Sequence, residues 1–163
     1  MLPVCMGFNG GIRGLFPLTP YIHLEAGLIP AAVIREAVFR MAAAAPNELL
    51  TWVGLNGAYH LTVPEQTGTE DRCKPLNPLD LRGQNALLDF HSHGFAPPFY
   101  STIDNKDESR GFRLYAVAGK FPTPTLLVRV GIYGHFWQIP PDWVMELPTE
   151  ISPEWEGETP CLD

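Results

Sequence analysis

His91-Ser92-His93-Gly94-Phe95-Ala96-Pro97-Pro98-Phe99-Tyr100-Ser101-Thr102-Ile103-Asp104 is the stretch on which the reading of this chain turns. It follows an apolar run, Asn85 to Phe90, that reads as a short strand ending in His91. On a strand, residues i and i+2 face the same way, so the two imidazoles can grip one ion. Ser92 turns to the opposite face and reads as structural. Gly94 and Pro97-Pro98 allow a tight return, and Ser101-Thr102-Ile103-Asp104 has the form of a capping box. A short polar helix to about Arg110 should follow, with Asp104 in its first turn and able to fold back over the strand end. Two imidazoles and one carboxylate, with a fourth position left to water, is the composition of a catalytic zinc site rather than a structural one. The bland alternatives are two exposed histidines and a serine that is only a cap.

Working upstream, Ile34, Val38, Met41 and Ala45 recur at helical spacing, with Arg35, Glu36 and Arg40 elsewhere on the wheel. Pro30 suits the first turn of that helix and Pro46 ends it. Leu49 to Leu55 reads as a strand, Asn56-Gly57 as a hairpin turn, and Ala58 to Val63 as the return. Residues 64–84 read as a long polar loop. Downstream, Phe112 to Phe121 and Thr125 to Ile139 read as two strands, and Pro140-Pro141 closes the regular part. Tyr21 to Leu24 could be a strand fragment within an N-terminal arm, 1–29, packed on a domain spanning 30–147. The order of elements predicts an α/β or α+β class with a mixed sheet.

The 163 residues suffice for one domain with a sizeable core. The net charge is −7, and it all falls in residues 142–163, which hold seven acids and no Lys or Arg. An acidic tail, 148–163, flexible after about Glu150, is the expectation. There is no basic stripe of the kind nucleic acid requires. The three cysteines, Cys5, Cys73 and Cys161, form no CxxC and no disulfide framework. No apolar run reaches the ~20 residues of a membrane span. The expectation is a cytoplasmic protein with reduced thiols, binding neither membrane nor nucleic acid.

Zinc-assisted hydrolysis also needs a carboxylate to take a proton from water and deliver it to the leaving group. Glu36 lies on the solvated face of the helix and Glu25 in the arm. Glu48 stands where the helix gives way to the first strand. If that strand neighbours the one ending in His91, Glu48 reaches the open side of the ion.

A glutamate at the start of a strand after an amphipathic helix, followed by HxH-x7-S-x2-D, resembles the signature of the JAB/MPN (JAMM-motif) metalloprotease family. Glu48, His91, His93, Ser101 and Asp104 match it position by position, and the resemblance covers about residues 30–140. Gly94 departs from the proline that usually follows HxH. The Gly/Pro-rich front is similar to the branch of the family encoded with plasmid-borne PRTRC systems. The resemblance implies a curved mixed β-sheet flanked by helices, with a cytidine-deaminase-like layout. It implies Zn²⁺ held by His91, His93 and Asp104, Glu48 as general base, and Ser101 as oxyanion donor. It also implies a peptidase or isopeptidase acting after the C-terminus of a ubiquitin-like or sulfur-carrier protein, with an E1-like enzyme as a further partner. Phe95, Phe99 and Tyr100 are then candidates for a substrate groove, with ordinary packing as the alternative.

The rival reading is a non-catalytic MPN-type scaffold or metal-binding interaction domain. A cupin would want a glutamate shortly after HxH, and residues 94–100 hold none. A TIM barrel needs roughly 250 residues. A zinc deaminase needs PCxxC, which is absent. Trp52, Trp137 and Trp143 read as core or rim, and His23, His60 and His135 as structural. Cys73 reads as either exposed or redox-sensitive.

Overall fold

The computed structural model describes residues 22–155. Helix α1 (Ala31–Ala44) begins at Pro30, which is extended and in the N-cap position, and buries Ile34, Ala37, Val38 and Met41. Strand β1 (Leu50–Asn56) turns at Asn56-Gly57 into β2 (Ala58–Thr62). Gly57 has φ +70°, which this tight turn demands. Residues 64–84 are more ordered than their composition suggests. They hold a separate hairpin, β3 (Gln66–Thr69) with β4 (Arg72–Pro75), and a short helix α2 (Leu81–Gln84).

Strand β5 (Leu88–Ser92) leads through the quoted loop to helix α3 (Thr102–Asp107) and on to β6 (Phe112–Gly119). The run Thr125–Ile139 is not one strand. It divides into β7 (Thr125–Ile132) and β8 (His135–Ile139), joined by a turn in which Tyr133 and Gly134 both have positive φ. Six strands of the main sheet run β2-β1-β5-β6-β7-β8, and along that path every pair is antiparallel except the central β5–β6 pair. This is a mixed α+β architecture.

One face of the sheet carries the core. Phe90, Leu88, Val53, Leu114 and Val128 pack there with Ile34 and Met41 of α1. On the other face β5, β6 and β7 present Asp89, Tyr115 and Arg129 side by side, and α3 lies over that row through bonds from Arg129.

The termini need correction. Tyr21 lies outside the described residues, and 22–24 are irregular rather than a strand. Leu24 and Ile29 are nevertheless buried, and Ile29 exchanges backbone hydrogen bonds with Val144 and Glu146. The segment expected to be flexible from about Glu150 is docked as far as residue 155. Ile151 is buried, and β9 (Ser152–Pro153) pairs with the start of β7. Glu154 meets Lys120 at 2.6 Å and accepts from Thr125 at 2.8 Å. An acidic segment stays attached here because an apolar residue anchors it and a cation answers its charge. Residues 156–163 lie outside the described residues. No described helix is long and apolar enough to cross a membrane.

Candidate metal centre

Strand register brings the predicted residues together. In the antiparallel β1–β5 ladder Leu50 faces His91. Ser92 N–H then donates to the Leu49 carbonyl. Two residues further on, the same register sets Glu48 opposite His93. A forty-five-residue separation in sequence becomes one cross-strand neighbour, and Glu48 Oε1 lies 3.8 Å from His93 Nε2.

His91 and His93 project from the end of β5 onto one face, as the i, i+2 spacing requires. Both are buried. Their Nε2 atoms stand 3.3 Å apart, and His91 Nε2 is 3.6 Å from Asp104 Oδ1. Metal–nitrogen bonds of about 2.0–2.1 Å at tetrahedral angles give donor separations of about 3.3–3.4 Å. Those two separations therefore suit a metal ion, and one ligand atom from each of the three residues lies within 4.8 Å of the others.

The protonation states also suit a cation. Burial is the main reason His91 falls to about 4, against the opposing pull of Asp104. Burial likewise lowers His93. Neutral imidazoles are the form that ligates. His93 Nδ1 faces the Pro97 carbonyl at 3.4 Å, which leaves Nε2 to bear the lone pair.

Asp104 is aimed by the capping box. Its Oδ2 accepts from Ser101 N–H at 2.6 Å, and Ser101 Oγ accepts from Asp104 N–H at 3.1 Å. The other carboxylate oxygen is left facing His91. Ser101 is thus a cap, and its hydroxyl proton is not used by that bond. Ser92 is buried on the far face, where its Oγ accepts from Leu49 N–H at 3.0 Å, as its structural reading required.

Glu48 is buried. Desolvation, then Asp104 and Asp71, raise its pKa to about 7, while contacts with Cys73 pull the other way. A carboxylate poised there suits proton transfer near neutral pH. Gly94, at φ +54°, packs so closely that a Cβ would run into the Pro46 carbonyl oxygen. That contact holds the loop after the histidines against the segment leading to Glu48.

Two residues to which reading along the chain gave no part in the site support it. Arg129 is buried between the rings of Tyr100 and Phe136, 3.7 and 3.9 Å from their centres. Its Nε donates to Glu108 at 3.0 Å and its Nη1 to Asn105 at 2.6 Å. Both acceptors lie within or just after α3, beside Asp104. The signal was present: a lone cation between Val128 and Val130 in an alternating strand must point away from their face. The second is Cys73, which sits on β4 beside Glu48 rather than in an open loop.

The apolar run after His93 divides. Phe95 and Phe99 are exposed at 63% and 52%, and the Phe99 ring stacks edge-on against His93 at 4.4 Å. Tyr100 does not join them. Its hydroxyl donates to the Tyr115 or Leu127 carbonyl and its ring lies under Arg129, so it is part of the support. Ile103, 48% exposed, adds a third apolar side chain beside Asp104.

No protein-family model matches the chain, and no curated protein matches it. Among solved structures it is similar to a Desulfitobacterium hafniense protein, determined in solution by a structural-genomics consortium. The two are 17% identical, with a TM-score of 0.45 over 77% of this chain and 92% of that one.

Proposed function

We propose that this protein is a zinc-dependent peptidase or isopeptidase of the JAB/MPN type. The observation that carries the reading is the convergence of Glu48 on the three-donor set across the β1–β5 ladder. A site that only stored or was braced by metal would not need a fourth, buried carboxylate poised near neutrality.

His91, His93 and Asp104 would hold the cation. When bound, Zn²⁺ supplies Lewis acidity toward a carbonyl and an acidified water. Glu48 takes the proton of the attacking water and later hands it to the leaving amine. Ser101 spends a lone pair on Asp104 N–H and keeps its O–H proton for the developing oxyanion. The apolar rim of Phe95, Phe99 and Ile103 suits an extended peptide tail, and the motif favours the C-terminus of a ubiquitin-like or sulfur-carrier protein.

The test pairs metal analysis with cleavage. Zinc-loaded protein should release the C-terminal fusion partner from a ubiquitin-like or sulfur-carrier protein. Glu48→Gln should keep its zinc and lose activity on the order of 10²–10⁴-fold, whereas His91→Ala should lose the zinc itself. A Glu48→Gln protein with undiminished cleavage would refute the assignment.

A further inference from the structure

Three consecutive residues leading into β1 are gripped from two sides. Leu49 is held by Ser92 of β5. Glu48 and Leu50 are held by the β3–β4 hairpin. Glu48 N–H donates to the Thr69 carbonyl at 2.7 Å. The Gln66 side-chain amide closes a two-point clasp on Leu50, accepting from its N–H at 2.7 Å and donating to its carbonyl at 2.8 Å. Gly68 packs so tightly that an added Cβ would run into the Glu48 carbonyl oxygen. Directly across the hairpin from Gly68 stands Cys73, near enough to the Glu48 carboxylate that burial and then the Glu48 charge raise the thiol's pKa, while the thiol opposes the rise at Glu48.

This hairpin belongs to neither the main sheet nor the helical layer. Its strands carry few apolar residues, so burying a core does not account for it. Its contacts concentrate on the residue that needs accurate aim.

We propose that the β3–β4 hairpin is the positioning device for Glu48, with Cys73 as the positioning residue whose thiol donates to the carboxylate and fixes its direction. The inference rests on the peptidase reading for its kinetic consequence but not for the contact itself. The thiol restricts rotation of the carboxylate and directs its free oxygen toward the histidine pair. Cys73 touches neither substrate nor metal in this role.

The test uses the full chain loaded with zinc. Cys73→Ala should lower kcat roughly tenfold, the worth of one hydrogen bond to a charged group. KM and zinc content should not change. Cys73→Ser, which restores a donor, should recover most of the loss. Gly68→Ala should lower kcat on the order of 10²-fold, as a displaced catalytic group does, again with zinc retained. Wild-type kcat in Cys73→Ala, or a serine variant no better than alanine, overturns the proposal. A readout free of catalysis is the rate at which iodoacetamide alkylates Cys73, followed by peptide mass spectrometry. Glu48→Gln should speed that reaction several-fold, because the neighbouring negative charge that suppresses the thiolate is gone. Equal rates would remove the contact, whatever the protein cleaves. A wild-type protein that cleaves nothing would remove the peptidase reading and leave the alkylation arm to decide the positioning claim.

Discussion

Replacing Arg129 with methionine should loosen the aspartate ligand from a distance. The guanidinium is 5% exposed and the Glu108 carboxylate 11%. Removing one member of a buried pair strands the other, at about 3–5 kcal/mol. For a chain of this size that lowers the melting temperature by about 6–20 °C. The second consequence is local. Helix α3 has six residues and buries none of them, and so short a helix does not stand alone. Its side-chain hold on the sheet runs through Arg129 to Asn105 and Glu108, beside one bond from the Tyr115 hydroxyl to the Glu108 carbonyl. With that tether gone Asp104 is less well aimed, and zinc affinity should fall roughly 10–100-fold, as when other support for a ligand is removed. Denaturation of the zinc-free protein measures the first effect and chelator competition the second. The double variant Arg129→Met/Glu108→Leu separates them. It has no stranded charge and should regain most of the stability, while zinc affinity stays low. Loss of less than about 1 kcal/mol in the single variant, or full recovery of zinc affinity in the double one, would refute the tether.

Ser101 caps α3 and, in the proposed mechanism, also donates to the oxyanion, and substitution can divide the two. Ser101→Ala removes the cap, costing about 1 kcal/mol of stability, and the oxyanion donor, about 2.7–4 kcal/mol of transition-state stabilisation. Ser101→Asp keeps a capping oxygen without a proton to donate, so melting should recover and kcat should not; joint recovery would show that the hydroxyl only caps. Stability of the zinc-free protein should also depend on His91. Its folded pKa is depressed to about 4, so the unfolded chain binds more protons between that value and its own of about 6.5. The stability due to neutral His91 is complete above that window and is lost as pH falls through it. Urea midpoints at pH 7, 6 and 5 should therefore fall more steeply in wild type than in His91→Gln; parallel slopes would contradict the depressed value.

What could be read along the chain was what a local signal announces. The spacing of Ile34, Val38 and Met41 marks α1, Asn56-Gly57 marks the first turn, and the Ser101–Asp104 pair marks the cap of α3. The β3–β4 hairpin was invisible because Gln66-Thr67-Gly68-Thr69 and Arg72-Cys73-Lys74 show no apolar alternation. A two-stranded ribbon held by side-chain-to-backbone bonds needs none. The break between β7 and β8 was hidden because Tyr133 occupies a positive-φ position usually marked by Asn or Gly. The three candidate donors and Glu48 were legible at forty-three residues' distance only because a motif ties them together; their neighbours Arg129 and Cys73 lie outside it.

The placement of Glu48 argues against a purely structural role through its own energetics. Burial and the neighbouring Asp104 and Asp71 raise its pKa to about 7. The folded state therefore holds that proton more tightly than the unfolded chain, whose carboxyl titrates near 4.3. The native protein is penalised progressively as pH rises from that value through about 7, with a ceiling of roughly 4 kcal/mol above it. A residue retained only for packing would be better served by glutamine, which fills the same space without the charge. Glu48→Gln should thus leave the zinc-free protein as stable as wild type at pH 4 and more stable at pH 8, while abolishing cleavage by the zinc-loaded form. Stability bought by inactivation is the mark of a group kept for its reaction. Glu48→Gln destabilised at pH 8 would make the carboxylate a structural asset, and the hydrolytic reading would lose its base.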